Sequence, residues 1–304
     1  MDRRDSMLTE GRNPRTERID TLPTLDMLRA INAEDATVAG AVERALAAVA
    51  RGVDAIAERL RGGGRVLYVG AGSSGREALT DAIEWEPTFS VPPDTVQAIL
   101  AGGEAAFGRS VEDAEDDAGA GRAAMESAGA TARDVVVGIA ASGRTPFVVG
   151  ALEAARERSA TTIAIACNEP APILELADIP IAVITGPEVI SGSTRLKAGT
   201  AQKMVLNMLS TGSMIRLGKV YGNLMVDVKV GNSKLAARAR RIVRQITGIS
   251  EEEAARLLAE ADQQAKVAIV MAVRGVGADE ARALLDAAEG RLRAVIGDLP
   301  LHEV

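Results

Sequence analysis

The chain has 304 residues, a formal net charge of −7, and 47% hydrophobic but only 2% aromatic residues. An acidic chain without a basic block does not suit nucleic-acid binding. One cysteine, Cys167, and one histidine, His302, exclude a disulfide framework and weigh against a histidine triad or a metal centre. No apolar run is long enough to span a bilayer and Met1 precedes polar residues, so we expect a cytoplasmic protein without a membrane partner.

The N-terminal part of the sequence predicts an arm followed by one long helix. The segment LTEGRNPRTERID has no periodic apolar stripe. From Leu25 to Leu60 apolar residues recur at steps of three and four, which is typical of an amphipathic helix. Gly62, Gly63 and Gly64 follow and predict the end of that helix.

Five short apolar runs predict the strands of a buried sheet. Each run has four to eight residues, is apolar on both faces, and is followed by Gly, Ser, Asn or Pro. Helical stretches separate the runs, so the sequence predicts a parallel five-stranded sheet in a three-layer α/β sandwich. The predicted strands are Arg65–Val69, Thr95–Leu100, Asp134–Ile139, Thr161–Cys167 and Ile179–Ile184.

Beyond Thr194 the pattern is wholly helical, and the last segment is rich in Ala, Arg and Glu. This composition predicts a small C-terminal helical subdomain. We therefore divide the chain into an arm with a long helix (1–60), a sheet domain (61–230) and a helical subdomain (231–304).

Three predicted strands run into turns rich in glycine, serine and threonine: GAGSSGR (70–76), ASGRTP (141–146) and SGSTRLKAGT (191–200). In open α/β sheets, ligands bind at the carboxyl ends of the strands. Glycine lets the backbone approach an anion, and a helix start adds free N–H groups to the Ser and Thr hydroxyls. The candidate residues for binding a phosphate or sugar are Gly72, Ser73, Ser74, Ser142, Gly143, Arg144, Thr145, Ser193 and Lys197.

These turns also allow two other interpretations. Gly70, Gly72 and Gly75 also fit the dinucleotide fingerprint G-x-G-x-x-G. That fingerprint requires an acidic residue near the end of the second strand, where this sequence reads AILAGG, and Ser73 and Ser74 suit a terminal phosphate better than a pyrophosphate. A purely structural role as strand-to-helix turns would leave their shared Ser/Thr content unexplained.

The candidate catalytic carboxylates lie in two segments. Glu84 lies in DAIEWEPTF beside the only tryptophan, where Pro87 predicts the end of a helix. Loss of water and the negative end of the helix dipole both favour a protonated carboxyl there, which suits an acid. Glu112, Glu115 and Asp116 lie in SVEDAEDD, whose ordinary interpretation is the solvated first turn of a helix.

Several of these motifs together resemble the N-acetylmuramic acid 6-phosphate etherases of the sugar-isomerase domain superfamily. The resemblance includes LTEGRNPRTERID, GAGSSGR, AGGEAAF, VEDAEDD and ASGRTP, and it is most specific in SGSTRLKAGTAQKMVLNMLSTG followed by GKVYGNLMVDV. It implies a sugar-isomerase-type sheet, no metal or redox cofactor, and a lyase of cell-wall amino-sugar recycling. Such a lyase releases D-lactate from N-acetylmuramic acid 6-phosphate and leaves N-acetylglucosamine 6-phosphate.

The resemblance also places the family's acid glutamate on Glu84 and its second active-site glutamate on Glu115. Ring opening exposes an aldehyde, one carboxylate removes the adjacent proton, a protonated carboxyl helps lactate leave, and water then adds. Arg195 or Lys197 could stabilise the developing enolate. Glu84 lies ten residues beyond Ser74, about 15 Å along a helix, so we expect a homodimer whose subunits share the site.

The chain departs from the family pattern around the acid glutamate. The family usually has Ser-Glu-Cys-Pro-Pro there, whereas this chain has Ile83, Glu84, Trp85, Glu86 and Pro87. The departure bears on the exact substrate more than on the reaction class. Two alternatives stay open: a sugar-phosphate isomerase, and a non-catalytic sensor resembling the glucokinase regulatory protein. Both glutamates are retained, which favours an enzyme.

Overall fold

The computed structural model describes residues 7–109, 111–227 and 233–303. Within them the chain forms two compact units. The sheet unit runs up to Ala82 and continues over Asp94–Ser210, and the helical unit contains Ile83–Pro93 and the described residues from Thr211 onward. The predicted domain boundaries near residues 60 and 230 stay predictions, and the second lies among residues 228–232, outside the described part of the chain.

The sheet unit is built on five parallel strands in the order β2-β1-β3-β4-β5, which confirms the predicted fold class. In the centre, Gly70 of β1 pairs with Leu100 of β2 on one side and with Ile139 of β3 on the other. Every residue of β1 and β3 is buried, since helices cover both faces of a parallel sheet. The strands are β1 (Val66–Gly70), β2 (Val96–Leu100), β3 (Val135–Ile139), β4 (Thr161–Ala166) and β5 (Ile179–Ala182).

Helices cover the two faces of this sheet with small and aliphatic side chains. On one face, Leu67, Val136 and Leu152 belong to a fully buried cluster. On the other face, Gly52 lies so close to Leu209 that a Cβ there would come within 2.8 Å of the leucine side chain. The helices are α1 (Thr24–Asp35), α2 (Val38–Arg61), α3 (Gly72–Phe89), α4 (Ala105–Gly108), α5 (Ala118–Ser127), α6 (Pro146–Glu157), α7 (Pro172–Leu176) and α8 (Lys197–Arg216).

The single long helix predicted over Leu25–Leu60 is wrong, because α1 and α2 are separate helices. Thr37 donates its hydroxyl to the Glu34 carbonyl at 2.7 Å, so a side chain satisfies a carbonyl near the break. The Glu34 carboxylate is buried and pairs with Lys197 Nζ at 2.7 Å and with Arg15 Nε at 2.5 Å. Burial alone would raise the pKa of Glu34, but these partners hold it below its usual value.

The helical unit has its own apolar core, which fits the predicted all-helical C-terminal region. Ile242, Leu258 and Ile269 are among its buried residues. A two-strand hairpin precedes these helices and was not predicted. The elements are β6 (Val220–Tyr221), β7 (Leu224–Met225), α9 (Ser233–Thr247), α10 (Glu251–Glu260), α11 (Ala265–Arg274), α12 (Ala278–Ala287) and α13 (Leu292–Ile296). Among the described residues, no helix is long and apolar enough to cross a membrane.

Asp134 stabilises the sheet at the amino-terminal ends of its strands, opposite the carboxyl ends where the ligand-binding turns are predicted. Its carboxylate accepts the Arg65 N–H and the Thr131 N–H at 2.9 Å each, and pairs with the Arg65 guanidinium at 2.9 Å. Burial by itself would raise the pKa of Asp134. The hydrogen bonds from Arg65 and Thr131 outweigh burial and hold the pKa below its usual value.

We predict that Asp134→Asn lowers the free energy of unfolding by about 1–3 kcal/mol at pH 7, because an amide cannot keep all the hydrogen bonds that the carboxylate accepts from Arg65 and Thr131. A depressed folded pKa contributes stability that is full above the unfolded value of about 4 and is lost as the pH falls through the folded value. Urea unfolding at several pH values should therefore show the gap to the natural chain closing in acid. Asp26→Asn, in an exposed pair with Arg29, is the control and should cost under about 1 kcal/mol. A gap that does not change with pH would contradict this role.

Candidate functional site

Two of the three predicted turns start side by side at one edge of the sheet. β1 and β3 are parallel neighbours, and their last residues, Gly70 and Ile139, are paired in register. From β1 the chain crosses to β2 on one side and then to β3 on the other. This reversal of direction is the point at which open α/β sheets bind ligands.

The first turn brings the start of α3 very close to β1. A Cβ on Gly70 would lie 2.8 Å from the backbone nitrogen of Gly75, and a Cβ on Gly75 would lie 2.9 Å from Leu100 Cγ. Only glycine at these two positions permits this approach. The helix start is therefore fixed against the strand by backbone contact.

The first N–H groups of α3 have no hydrogen-bond partner among the residues that the structure describes. The first helical hydrogen bond runs from the Gly75 N–H to the Ala71 carbonyl, at 3.1 Å. The N–H groups of Gly72, Ser73 and Ser74 precede that bond and have no partner within the helix. With the hydroxyls of Ser73 and Ser74 they are the donors of the predicted phosphate cradle, whose binding role stays a prediction.

The second turn is held in shape by Gly143, which has a φ of +69°. A Cβ on Gly143 would lie only 2.4 Å from the Ala171 Cβ, so no larger residue fits. The Arg144 N–H donates to the Ser142 hydroxyl at 3.2 Å, which orients that hydroxyl. Thr145 precedes α6 but makes no side-chain capping bond, so its hydroxyl is available to a ligand.

The third turn differs, because the chain's own carboxylate occupies the start of α8. The Lys197 and Ala198 N–H groups donate to the Glu188 carboxylate, each at 2.9 Å. The Lys197 ammonium is buried and bonded to Glu34. Ser193 lies half-buried in the turn, with its N–H on the Ile190 carbonyl. The binding roles of Ser193 and Lys197 stay predictions, and the buried ion pair weighs against a substrate contact by Lys197.

Asn168 connects the N-terminal arm to the second turn, and the sequence analysis missed it. Its side-chain amide donates to the Thr9 hydroxyl at 2.9 Å and to the Ala141 carbonyl at 3.0 Å. Its amide oxygen accepts the Thr9 N–H at 3.3 Å. A polar residue directly after the fourth predicted strand was the available signal, since strand ends of this edge hold the ligand-binding turns.

Glu115 lies at a cavity of about 380 Å³ whose wall also contains Gly72 of the first turn. The Arg76 guanidinium, on the same wall, donates to the Ala106 carbonyl at 3.2 Å. Glu115 lies in the first turn of a helix, as predicted, but this helix is a short 3₁₀ helix (Ala114–Asp116) that precedes α5. Asp117 caps α5 instead, by accepting the Ala120 N–H at 2.9 Å.

The sequence predicts that the helix carrying Glu84 ends before Pro87, and this prediction is wrong. The helix continues through the proline to Phe89. Trp85 and Phe89 are buried, and burying these aromatic rings offsets the one helical hydrogen bond that proline cannot make. The predicted apolar shelter around Glu84 is also wrong in this chain, since Glu84 is exposed while the indole is 1% exposed. Glu84 lies ten residues beyond Ser74 in the same helix, and its catalytic role stays a prediction.

The fold and the cradle define a protein of the sugar-isomerase (SIS) class. Residues 118–212 match the SIS domain family, 48–156 match the glucokinase regulatory protein N-terminal SIS domain, and 222–266 match the C-terminal lid domain of that regulatory protein. A phosphoheptose isomerase from Francisella tularensis has the same fold, with a TM-score of 0.51 at 18% identity, over 64% of this chain and 100% of the isomerase.

Full-length relatives narrow the class to one family. An N-acetylmuramic acid 6-phosphate etherase from Rhizobium rhizogenes is 52% identical over 96% of this chain and 95% of its own length. A protein of the same name from Mycolicibacterium smegmatis is 53% identical over 95% of this chain and 97% of its own length. The chain belongs to the N-acetylmuramic acid 6-phosphate etherase family, as the motifs predicted.

We predict that Ser74→Ala combined with Ser142→Ala weakens the binding of a hexosamine 6-phosphate at least about tenfold. Each hydroxyl is expected to donate a hydrogen bond to a charged phosphate oxygen, and such bonds contribute about 1.5–3 kcal/mol. Calorimetric titration measures the dissociation constant directly. Ser127→Ala, exposed at the end of α5, is the matched control. Unchanged affinity in the double variant would rule out this cradle.

Proposed function

We propose that this chain is a carbon–oxygen lyase that cleaves the D-lactyl ether of N-acetylmuramic acid 6-phosphate. The products are N-acetylglucosamine 6-phosphate and D-lactate, and the reaction serves cytoplasmic amino-sugar recycling. The observation that carries this proposal is identity above 50% with etherases over almost the entire chain. The open cradle at the ends of β1 and β3 supplies the matching phosphate site.

Phosphate recognition follows from the two open helix starts. The turns after β1 and β3 offer backbone N–H groups and the hydroxyls of Ser73, Ser74, Ser142 and Thr145. A phosphate carries its charge on terminal oxygens that accept such donors, and the positive ends of two helix dipoles add to the attraction. The sugar bound through this group would extend from the cradle toward the neighbouring cavity.

The position of Glu115 suits the proton abstraction. It lines the cavity that contains Gly72, so a sugar anchored at the cradle would present its open-chain carbons to this carboxylate. Glu115 takes the proton from the carbon beside the aldehyde, and the electron pair of that C–H bond forms the enolate. Collapse of the enolate breaks the ether carbon–oxygen bond and leaves an unsaturated aldehyde.

Glu84 then acts as the acid of the elimination. Its proton goes to the departing lactate oxygen, and water adds to the unsaturated aldehyde to restore a hydroxyl. Because Glu84 lies about 15 Å along α3 from Ser74, we place it at the site of a second copy. In the resulting homodimer, Glu84 of the partner subunit completes each site.

A sugar-phosphate sensor is the second candidate, favoured by the matches of residues 48–156 and 222–266 to domains of the glucokinase regulatory protein. The etherases match more of the chain in one piece, at 52% identity. The chain also retains Glu84 and Glu115, which a sensor does not require. Likeness to the isomerase rests on 18% identity and supports the fold alone.

Incubation with N-acetylmuramic acid 6-phosphate in deuterated water tests both the function and the two glutamates. The natural chain should release D-lactate. We predict that Glu84→Gln lowers release at least about 100-fold while exchange of the proton beside the aldehyde continues, and that Glu115→Gln abolishes both. Lactate is assayed enzymatically, and deuterium is followed by NMR.

Glu86→Gln and Glu112→Gln are the matched controls, since each removes a neighbouring carboxylate. Absence of lactate with the natural chain would contradict the proposed function. If the two variants behave the other way round, the roles are reversed. If neither loses more than about tenfold, or roughly 1.4 kcal/mol of barrier, the glutamate assignment fails.

Mixing inactive variants tests the shared site. When Glu84→Gln and Glu115→Gln subunits are unfolded together and reassembled, each mixed dimer should contain one intact site. Random pairing then predicts recovery of about a quarter of the natural activity. A mixture of Glu115→Gln subunits with subunits that carry both Glu84→Gln and Glu115→Gln is the control and should recover nothing, since every site then lacks Glu115. Equal activity in the two mixtures would show that each site is self-contained.

A further inference from the structure

The helical unit contains a cavity of about 610 Å³ that the proposed sugar site does not use. Its wall is formed by residues 90–93 after α3, by Lys219 and Asp227 on either side of the β6–β7 hairpin, and by residues 262–267 at the start of α11. Ligand sites for small molecules fall in the range of about 300–1,000 Å³. The cavity is therefore large enough for a metabolite.

Two lysines at this cavity share one carboxylate oxygen. Lys219 Nζ and Lys266 Nζ each lie 2.9 Å from Asp227 Oδ2. Lys266 is 8% exposed and donates a second bond to the Gly290 carbonyl at 2.8 Å. Burial lowers the pKa of Lys266 in spite of the carboxylate beside it. Two ammonium groups carry one more positive charge than the Asp227 carboxylate between them, which favours a further anion.

The start of α11 adds backbone donors to the same wall. Its first helical bond runs from the Ala268 N–H to the Gln264 carbonyl at 3.1 Å, and no side chain caps the helix. Among the described residues, no acceptor takes the N–H groups of Ala265, Lys266 and Val267, although all three residues are buried. Helix-start N–H groups that no described residue accepts are donors that a bound anion could use.

Strained backbone conformations also occur on the wall of this cavity. Ser90, Asp262 and Gln263 have φ values of 52°, 50° and 62°, in the left-handed region that favours glycine, and all three line the cavity. Such strain is concentrated at functional sites. Of the other acids on the wall, Asp262 is paired with Arg282 at 2.6 Å, and Glu86 is half-buried.

We propose that this cavity binds a phosphate monoester. The phosphate group lies against the N–H groups of residues 265–267 and the ammonium groups of Lys219 and Lys266, whose donors match its terminal oxygens. The apolar wall of Val91, Pro92, Pro93 and Leu285 takes the organic part. A carboxylate has fewer oxygens than this set of donors can serve, so phosphate is the better match.

The test uses the full chain with Ser74→Ala and Ser142→Ala, which weakens binding at the proposed sugar cradle. Inorganic phosphate, N-acetylglucosamine 6-phosphate and D-lactate are titrated by calorimetry. Ala265→Pro then removes one N–H at the first position of α11, where proline is tolerated, and Gln264 already has the extended backbone that precedes proline. Ala278→Pro is the matched control, since it makes the same change at the start of α12 behind an extended Gly277. Lys219→Met provides a second variant outside the helices.

Phosphate or the sugar phosphate should bind the chain that carries the two serine changes. Adding Ala265→Pro or Lys219→Met should weaken this binding at least about tenfold, and adding Ala278→Pro should leave it unchanged. Thermal unfolding confirms that each variant is folded, and Lys219→Met decides the result if Ala265→Pro is not. The proposal is overturned if neither phosphate compound binds, if only D-lactate binds, or if binding ignores both variants. Each of these results leaves the lactate-release test of the proposed function untouched.

Discussion

The close approach of two helix starts to two neighbouring parallel strands is the constraint on which the site depends. Gly70 and Gly75 let α3 approach β1 so closely that a Cβ at either position would clash, and Gly143 turns the chain after β3 where Ala171 leaves no room for a side chain. Because β1 and β3 end in register, the N–H groups of both helix starts converge on one region. The cavity of Glu115 begins at Gly72, so the proposed proton abstraction depends on the same placement.

Two kinds of helix start bear on the proposed ligand sites: those whose N–H groups bond to a carboxylate of the chain itself, and those without such a carboxylate. The start of α8 is satisfied internally, since Glu188 accepts two of its N–H groups and the adjacent Lys197 is neutralised by Glu34. At the starts of α3 and α6, no carboxylate within the described part of the chain accepts an N–H group. α11 in the helical unit is also uncapped, and it lies beside a lysine pair. An internal carboxylate at a helix start fixes the fold, whereas an uncapped start at a cavity can bind an anion from solution.

Local patterns predicted the five strands and the two open turns, because buried parallel strands are apolar on both faces and phosphate-binding turns need glycine and hydroxyl residues. The errors share a long-range cause. Helix propensity favours one helix over Leu25–Leu60, while the break near Glu34 is stabilised by Lys197, which lies 163 residues away. Proline usually ends a helix, but the helix that contains Pro87 continues because Trp85 on the same helix is buried. Asn168 could not be recognised because its partner Thr9 lies 159 residues away.

In the proposed function, a sugar phosphate binds where β1 and β3 end. A crystal structure of the Glu115→Gln variant with N-acetylmuramic acid 6-phosphate would test it most directly, since the variant should bind the substrate without cleaving it. We expect phosphate oxygens within about 3 Å of the backbone N–H groups at the start of α3 and of the hydroxyls of Ser142 and Thr145. A phosphate bound elsewhere in the chain, with both turns empty, would contradict it.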